Sequence, residues 1–473
     1  MIPRIVPTPL GPLPAAAKRP PARVVAEVLD AVLPGPGRDR LASGEVLVVT
    51  TGQQPALFTG PLYTVYKALS AIALARRLER ERGVPVVPVF WVAGDDHDFQ
   101  EANHAAFLNT AGEALPIVLR ERPADAPSLP TYQEPCGPEV TAALEQLRAG
   151  TPETEFKSTV LDWLGAAFTP EASLADAAAT ALQALLGARG LAVLRPYQES
   201  FKRAMSTYVL RAAEHTLPDG LSPVLVEASL GRDRLKPEGS GYVSRRSGDR
   251  YSRADLERIA GEQPQRISPN VLLRPVVEAA LLPTVAYLGG PGELAYLPEA
   301  AALYQALGIP VQTPVPRWSG VLVEARVDKV LERYRLGVQD FAGTPGPLET
   351  RLVRDTLPGP LGSAMAELRQ SLGTGFERLA KEVKGIDPTL ERTVETARNA
   401  ALGGTQEIEK KVLASLKRNN ETLVGQITRA RAALYPLGEP QERVLTYASF
   451  AIRYGPSLLD GLEREVARAF AAS

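Results

Sequence analysis

Apolar positions along this chain follow two rhythms that divide it near residue 320. Before that point, short β-branched runs alternate with helical stripes. Beyond it the helical stripe continues alone. The first run, Val46-Leu47-Val48-Val49-Thr50-Thr51, reads as a buried strand that breaks at Gly52. From Leu62 a helical period takes over through Val65, Tyr66, Leu69, Ile72 and Ala73, and predicts a helix over 62–82 ending before Gly83. A second apolar run over 84–93 predicts another buried strand. Strand, helix and apolar strand in that order predict a parallel crossover and an α/β core. The loops over 52–61 and 94–104 then share the carboxyl edge of the sheet, where open α/β sheets bind ligands.

The same alternation returns further on. A strand over 190–194, a helix over 198–213 and a strand over 223–227 are expected. The run 282–288 reads as a strand that opens into Gly289-Gly290-Pro291-Gly292-Glu293, followed by a helix over 294–307 and a last strand over 310–315. Residues 111–185 lose the strand pattern and read as a helical insertion, with a linker at 123–130 and helices over 142–147, 158–168 and 173–186. The polar, Gly- and Arg-bearing stretch 231–253 is either a lid or a small β insertion. The first 40 residues are Pro-rich around one expected helix at 22–32.

Past Val321, Leu361, Met365, Leu368, Leu372, Phe376, Leu379, Val383 and Ile386 alternate steps of three and four. The stripe breaks at Gly385–Pro388, resumes at Leu390, is expected to break again at Gly403-Gly404, and runs on from Ile408 to Leu434. Two long amphipathic helices joined by a short turn predict an antiparallel coiled-coil hairpin, and its outer face predicts a homodimer. The expected organisation is therefore an N-terminal segment 1–40, an α/β core 41–320 with insertions near 111–185 and 228–267, a helical hairpin 321–440 and a helical return 441–473.

Composition narrows the function classes. Over 473 residues the net charge is −1, which disfavours a general nucleic-acid surface. Cys136 is the sole cysteine, so neither an intrachain disulfide nor a cysteine zinc site can form. No apolar run is long enough to span a bilayer, and the N-terminus lacks the apolar core of a signal peptide. A cytoplasmic, membrane-free protein is the expectation.

Candidate chemistry gathers in three loops. The Gly52-Gln53-Gln54 loop opens a helix that carries Lys67, a geometry suited to an anion. It matches neither GxxxxGK[ST] nor GxGxxG. The second loop, Gly94-Asp95-Asp96-His97-Asp98-Phe99-Gln100-Glu101-Ala102-Asn103-His104, holds two of the three histidines. It admits three readings: a polar pocket with His97 as acid or base, a zinc or manganese site, or carboxylates that cap a helix. The third is the Gly289–Glu293 turn, where Glu293 can meet an amine or hydroxyl.

Four stretches together resemble one family. They are Thr51-Gly52-Gln53-Gln54-Pro55-Ala56-Leu57-Phe58-Thr59-Gly60-Pro61-Leu62-Tyr63, the run from Pro88 through Trp91 and Gly94 to Asp98, Ser268-Pro269-Asn270-Val271-Leu272-Leu273-Arg274-Pro275, and Ala286-Tyr287-Leu288-Gly289-Gly290-Pro291-Gly292-Glu293. Their order is similar to that of the bacillithiol biosynthesis cysteine-adding enzymes, the BshC family. The resemblance covers nearly the whole chain. Asp95, Glu278-Ala279 and Glu299 depart from the residues usual at those positions.

The resemblance implies a Rossmann-like core akin to class I aminoacyl-tRNA synthetases, with a dimerising coiled coil. The implied reaction joins cysteine to the amine of glucosaminyl-malate as the last step of bacillithiol synthesis, with ATP or another activated donor and no metal assigned. Thr51, Gly52, Gln53, Gln54, Gly60, Tyr63 and Lys67 are expected to bind substrate or nucleotide, with Asp95, Asn270, Arg274, Gly289, Gly290, Gly292 and Glu293. His97, Asp96 and Asp98 are the expected catalytic set, with His97 as base. The competing readings are a nucleotidyltransferase acting on a sugar phosphate and a non-catalytic coiled-coil scaffold.

Overall fold

The computed structural model describes residues 2–123 and 126–472, so Ala124 and Asp125 of the expected linker lie outside it. The chain divides into two compact units, Met1–Glu324 with Glu439–Ser473, and Ala325–Gly438.

The first unit is built on a five-stranded parallel sheet. Its spatial order is Thr313–Pro316, Thr284–Gly289, Leu47–Gln53, Val86–Val92, Ala192–Leu194. Val48, Val87, Val89 and Trp91 face one apolar layer, and Leu47, Val49, Val86, Phe90 and Val92 face the other. Both faces are thus covered, which is why these strands read as continuous apolar runs rather than alternating ones. Strand order runs one way from Leu47–Gln53 through Ala192–Leu194 and the other way through Thr284–Gly289. The reversal lies between Leu47–Gln53 and Thr284–Gly289. Such a switch point leaves a crevice at the strands' carboxyl ends.

The helix Leu62–Arg82 has the bounds its spacing predicts. Leu62, Val65, Tyr66, Leu69 and Ile72 are buried, and apart from the buried Lys67 its charged residues lie in the last two turns. Gly83 closes it in the left-handed region at φ 67°, its amide donating to Glu79 O at 2.9 Å. The C-terminal helix Pro456–Ala472 packs along it. Arg77 Nη1 donates to Phe470 O at 2.8 Å, and Arg76 pairs with Glu463 at 2.6 Å. The expected helical return is therefore a layer of the core unit.

Several elements differ from the sequence expectation. The N-terminal helix is only Ala26–Asp30, and a second, Pro36–Ala42, follows it. Strand Arg4–Pro7 pairs antiparallel with Gly320–Val323, two segments whose partners lie over 300 residues apart in sequence. The insertion at 111–185 does carry helices, at Glu139–Gly150, Lys157–Ala167 and Leu174–Leu186, but an antiparallel hairpin of His104–Leu108 and Ala114–Val118 precedes them. Alanine at 105 and 106 masks the strand, because its intrinsic preference is helical. The stretch 231–253 is a β insertion. Its strands join Val224–Ala228 and Ile267–Pro269 in a separate five-stranded antiparallel sheet.

The second unit is helical. Gly359–Lys384 and Leu390–Asn419 pack against each other as the expected hairpin. The turn between them is fixed by Asp387, whose Oδ1 accepts from Thr389 N at 2.8 Å. Arg354 and Arg369 clasp Glu409 at 3.0 and 3.2 Å. Gly403-Gly404 does not break the second helix. Two glycines in a helix interior cost about 1 kcal/mol each, which packing of the hairpin offsets.

Candidate active site

A cavity of about 300 Å³ lies at the switch point. The Gly52-Gln53-Gln54 loop forms one wall and Gly290–Glu293 the other, with Tyr63, Lys67, Asp96 and Arg274 between. Lys67 joins the two walls. Its Nζ donates to Gly52 O at 2.8 Å and to Gln53 Oε1 at 2.8 Å, and it forms an ion pair with Glu293 Oε2. An ammonium has three N–H donors, and all three are engaged. Lys67 is thus a strut between loops. Burial pulls its pKa down to about 8, against the opposing charge of Glu293.

At both helix N-termini on this edge the chain supplies a partner of its own. The Leu62 amide donates to Leu445 O at 2.8 Å. The loop before it, with Phe58, Thr59 and Gly60 all at positive φ, turns Phe58 into the core against Phe107 and Phe168. Gly60 does not line the cavity. The second helix starts at Pro291, not at 294, so Gly292 and Glu293 lie in its first turn. Glu293 itself fills that terminus, with Gly290 N donating to Oε2 at 2.9 Å and Tyr287 OH to Oε1 at 2.6 Å. Burial pushes its carboxyl up, but Lys67 and these two donors together hold it below the usual glutamate range. One acceptor position on Oε1 remains free.

Three arginines line the cavity. Arg274 donates to Tyr287 OH at 2.8 Å and lies 3.4 Å from Glu278, a fully buried carboxylate that Thr50 and Gln312 also hold. Arg317 forms a two-pronged pair with Glu442 at 2.6 and 3.0 Å, yet its Nε is buried without a partner. Arg443 also lines the cavity and has no carboxylate within ion-pair range among the described residues.

The acidic loop is split by the fold. Asp96 and Glu101 line the cavity. Partial burial, then the charges of Asp98 and Asp96, raise the Glu101 carboxyl above the ordinary range. Asp95 turns away to pair with the buried Lys202 at 2.6 Å. Asp98 caps the short helix Phe99–Ala102, accepting from Glu101 N at 3.1 Å, and so takes the structural role among the readings of this loop. His97 does not line the cavity. Its Nδ1 is buried without a hydrogen bond, 4.0 Å from Asp96 Oδ1. Burial and then Arg232 depress its pKa. His104 opens a hairpin strand, is exposed, and contacts Gln100 O at 2.9 Å. Among the described residues no group of three or more His, Cys, Asp or Glu side chains is placed to hold a metal.

A second lobe of about 200 Å³ adjoins the first through Trp91, Asp96, Val271 and Arg274. Asn270, Asp95 and Arg232 complete it. The remaining sequence candidates are structural. Thr51 is buried and its hydroxyl donates to Leu288 O at 2.8 Å, while Gly289 O accepts the Arg317 amide at 3.0 Å. Sequence reasoning missed Trp91, Glu101, Arg232, Tyr296, Arg317 and Arg443 as lining residues. Trp91 sits inside a strand pattern, and the arginines come from segments whose contact no local spacing encodes.

Comparison with known proteins divides the chain near residue 320, where its sequence pattern changes. Residues 38–218 and 225–318 match the family model described as the bacillithiol biosynthesis BshC N-terminal Rossmann-like domain, and residues 320–467 match the BshC C-terminal coiled-coil domain. A relative from Salinibacter ruber, named "Putative cysteine ligase BshC", is 32% identical over 448 residues, covering 90% of this chain and 81% of the relative. A relative of the same name from Heliobacterium modesticaldum is 31% identical, covering 89% and 82%. The solved Mycobacterium tuberculosis methionyl-tRNA synthetase aligns over 90% of this chain and 93% of its own at 10% identity, with a TM-score of 0.26, too low to bear on the fold.

Proposed function

The chain belongs to the BshC family of cysteine ligases in bacillithiol biosynthesis, and from that premise we propose that it joins the carboxyl of cysteine to the amine of glucosaminyl-malate, the last step of the pathway. The observation that carries this reading is the two-lobed cavity at the switch point, with free carboxylates and arginines on facing walls. A carboxylate is a poor acyl donor, because its leaving group would be oxide. In this reading the cysteine carboxylate attacks ATP, giving an acyl phosphate and ADP or an acyl adenylate and pyrophosphate, and the phosphate or AMP then leaves the carbonyl carbon as the amine forms the C–N bond. The unpaired Arg443, with Arg317 beside it in the lining, is the group that fits its phosphates. The saturated Lys67 is not.

Glu101 takes the proton released by the attacking amine, its raised pKa making it a better base than an ordinary carboxylate. The free position on Glu293 Oε1 receives the cysteine ammonium. Leu361, Leu368, Leu379 and Ile408 stay exposed along the hairpin, and a homodimer covers them. A buried free Cys136 accords with a cytoplasmic protein. The test incubates the protein with cysteine and glucosaminyl-malate, with and without ATP, and reads bacillithiol by mass. Product without nucleotide consumption would remove ATP from the scheme. Absence of product under every condition, with pyrophosphate released from ATP when a sugar phosphate is supplied, would replace the reading with the nucleotidyltransferase.

A further inference from the structure

The second lobe carries a charge pattern that the folded chain leaves unbalanced. Arg232 is 91% buried, from an exposure of 9%. Its Nε donates to Ser268 Oγ at 3.0 Å and one Nη2 proton to Pro269 O at 3.1 Å. A guanidinium has five N–H donors, so Nη1 and half of Nη2 remain unused. Among the described residues no carboxylate lies within ion-pair range of Arg232. The neighbouring charges are already matched: Arg234 by Asp219, Asp95 by Lys202, Arg274 by Glu278.

Asn270 adds two donors of fixed direction. Its Oδ1 accepts from the amides of Leu272 at 3.1 Å and Leu273 at 2.8 Å. That pair of amides settles which end of the side chain is oxygen and leaves Nδ2 without a protein partner at the lobe. Burying an unpaired guanidinium beside an unpaired amide is costly. A fold keeps such a pair where a ligand completes it. The one unbalanced carboxylate in the lobe is Asp96, which faces both cavities.

We propose that this lobe is a carboxylate subsite, in which Arg232 Nη1 and Asn270 Nδ2 hold the malyl end of the amine substrate and Asp96 holds its amine toward the first lobe. The assignment rests on the function proposed above and specifies which end of the substrate enters where. Arg232 and Asn270 are positioning residues: they touch the non-reacting end and fix the angle of attack at the other.

The test uses Asn270→Asp in the full chain, with Arg232→Lys beside it. Aspartate keeps the oxygen that accepts from Leu272 and Leu273, so the turn survives, but it replaces two donors with an acceptor and a negative charge. Malate is the probe, titrated calorimetrically and as an inhibitor against glucosaminyl-malate. The expected result is competitive binding of malate to the wild type, and a 10- to 100-fold loss of malate affinity in Asn270→Asp. KM for glucosaminyl-malate rises in parallel, and KM for cysteine does not. Arg232→Lys, which keeps the charge but not the fork, is expected to show a smaller loss of the same kind. Unchanged malate affinity in both variants, or malate that fails to bind or compete, overturns the subsite. Malate binding that depends on Asn270 in a protein that makes no bacillithiol keeps the subsite and overturns the ligase.

Discussion

Replacing Lys67 with methionine tests whether the two walls of the cavity are held by one ammonium. The substitution preserves the length of the apolar stem and removes all three donors. Glu293 then keeps two of its three partners, Tyr287 OH and Gly290 N, inside a largely buried setting. Gly52 O and Gln53 Oε1 lose their donor. Removing one member of a buried ion pair costs roughly 3–5 kcal/mol. The Glu293 side chain is 21% exposed toward the cavity, so water relieves part of that cost, and the expected loss is about 3 kcal/mol. Glu293→Gln alone should cost about 2 kcal/mol, since the amide oxygen still accepts. The double variant should cost about 3 kcal/mol, leaving a coupling energy of about 2 kcal/mol. Urea unfolding followed by tryptophan fluorescence measures this, because Trp91, Trp163 and Trp318, all three tryptophans of the chain, lie in the core unit. An additive double variant would refute the strut. So would a Lys67→Met protein of unchanged stability but abolished ligation, which would make Lys67 a direct participant in the chemistry.

The same strut predicts a pH dependence. A neutral amine offers two donors for three acceptors, so activity should fall as pH rises through about 8, the pKa of Lys67. Glu293 raises that pKa, so Glu293→Gln should move the alkaline limb of kcat/KM to lower pH; an unmoved limb assigns it elsewhere. Glu101→Gln should lower kcat about 10²–10⁴-fold, and His97→Ala less than about tenfold, since His97 lies outside the cavity lining; the reverse order in single-turnover rates would return the base to His97. In the wild type the acid limb should lie above the ordinary glutamate pKa, because the base must be deprotonated and the Glu101 carboxyl is raised. Leu368→Glu with Leu379→Glu should convert a dimer to a monomer in sedimentation; an unchanged species would place the interface off this stripe.

The parts of this molecule that were legible in the sequence are those whose physics is local. The helix Leu62–Arg82 is bounded by its own period and by Gly83, and the flanking strands by their apolar runs and by what breaks them. The hairpin helices follow from a stripe that repeats every three or four residues. The site was legible only where a single loop carries it. Gly52, Gln53, Asp96 and Glu293 all reach the cavity because each ends or follows a parallel strand, and parallel strands end on one edge. The roles were less legible than the places. The strand–glycine–helix pattern suggested a helix N-terminus waiting for an anion after Gly52, and it recurs at Gly289–Glu293. Leu445 O fills one and Glu293 fills the other. Those partners arrive from 383 residues downstream in one case and from the helix's own third residue in the other. Lys67, read as an anion ligand, is engaged by three acceptors. Once those termini and that ammonium are excluded, the anion-binding capacity of the cleft falls to arginines on segments that no periodicity connects: Arg232 on an antiparallel strand, Arg317 after the last parallel one, Arg443 near the C-terminus. A loop pattern can locate a ligand, but which donors are left to hold it is decided by every other group that reached them first.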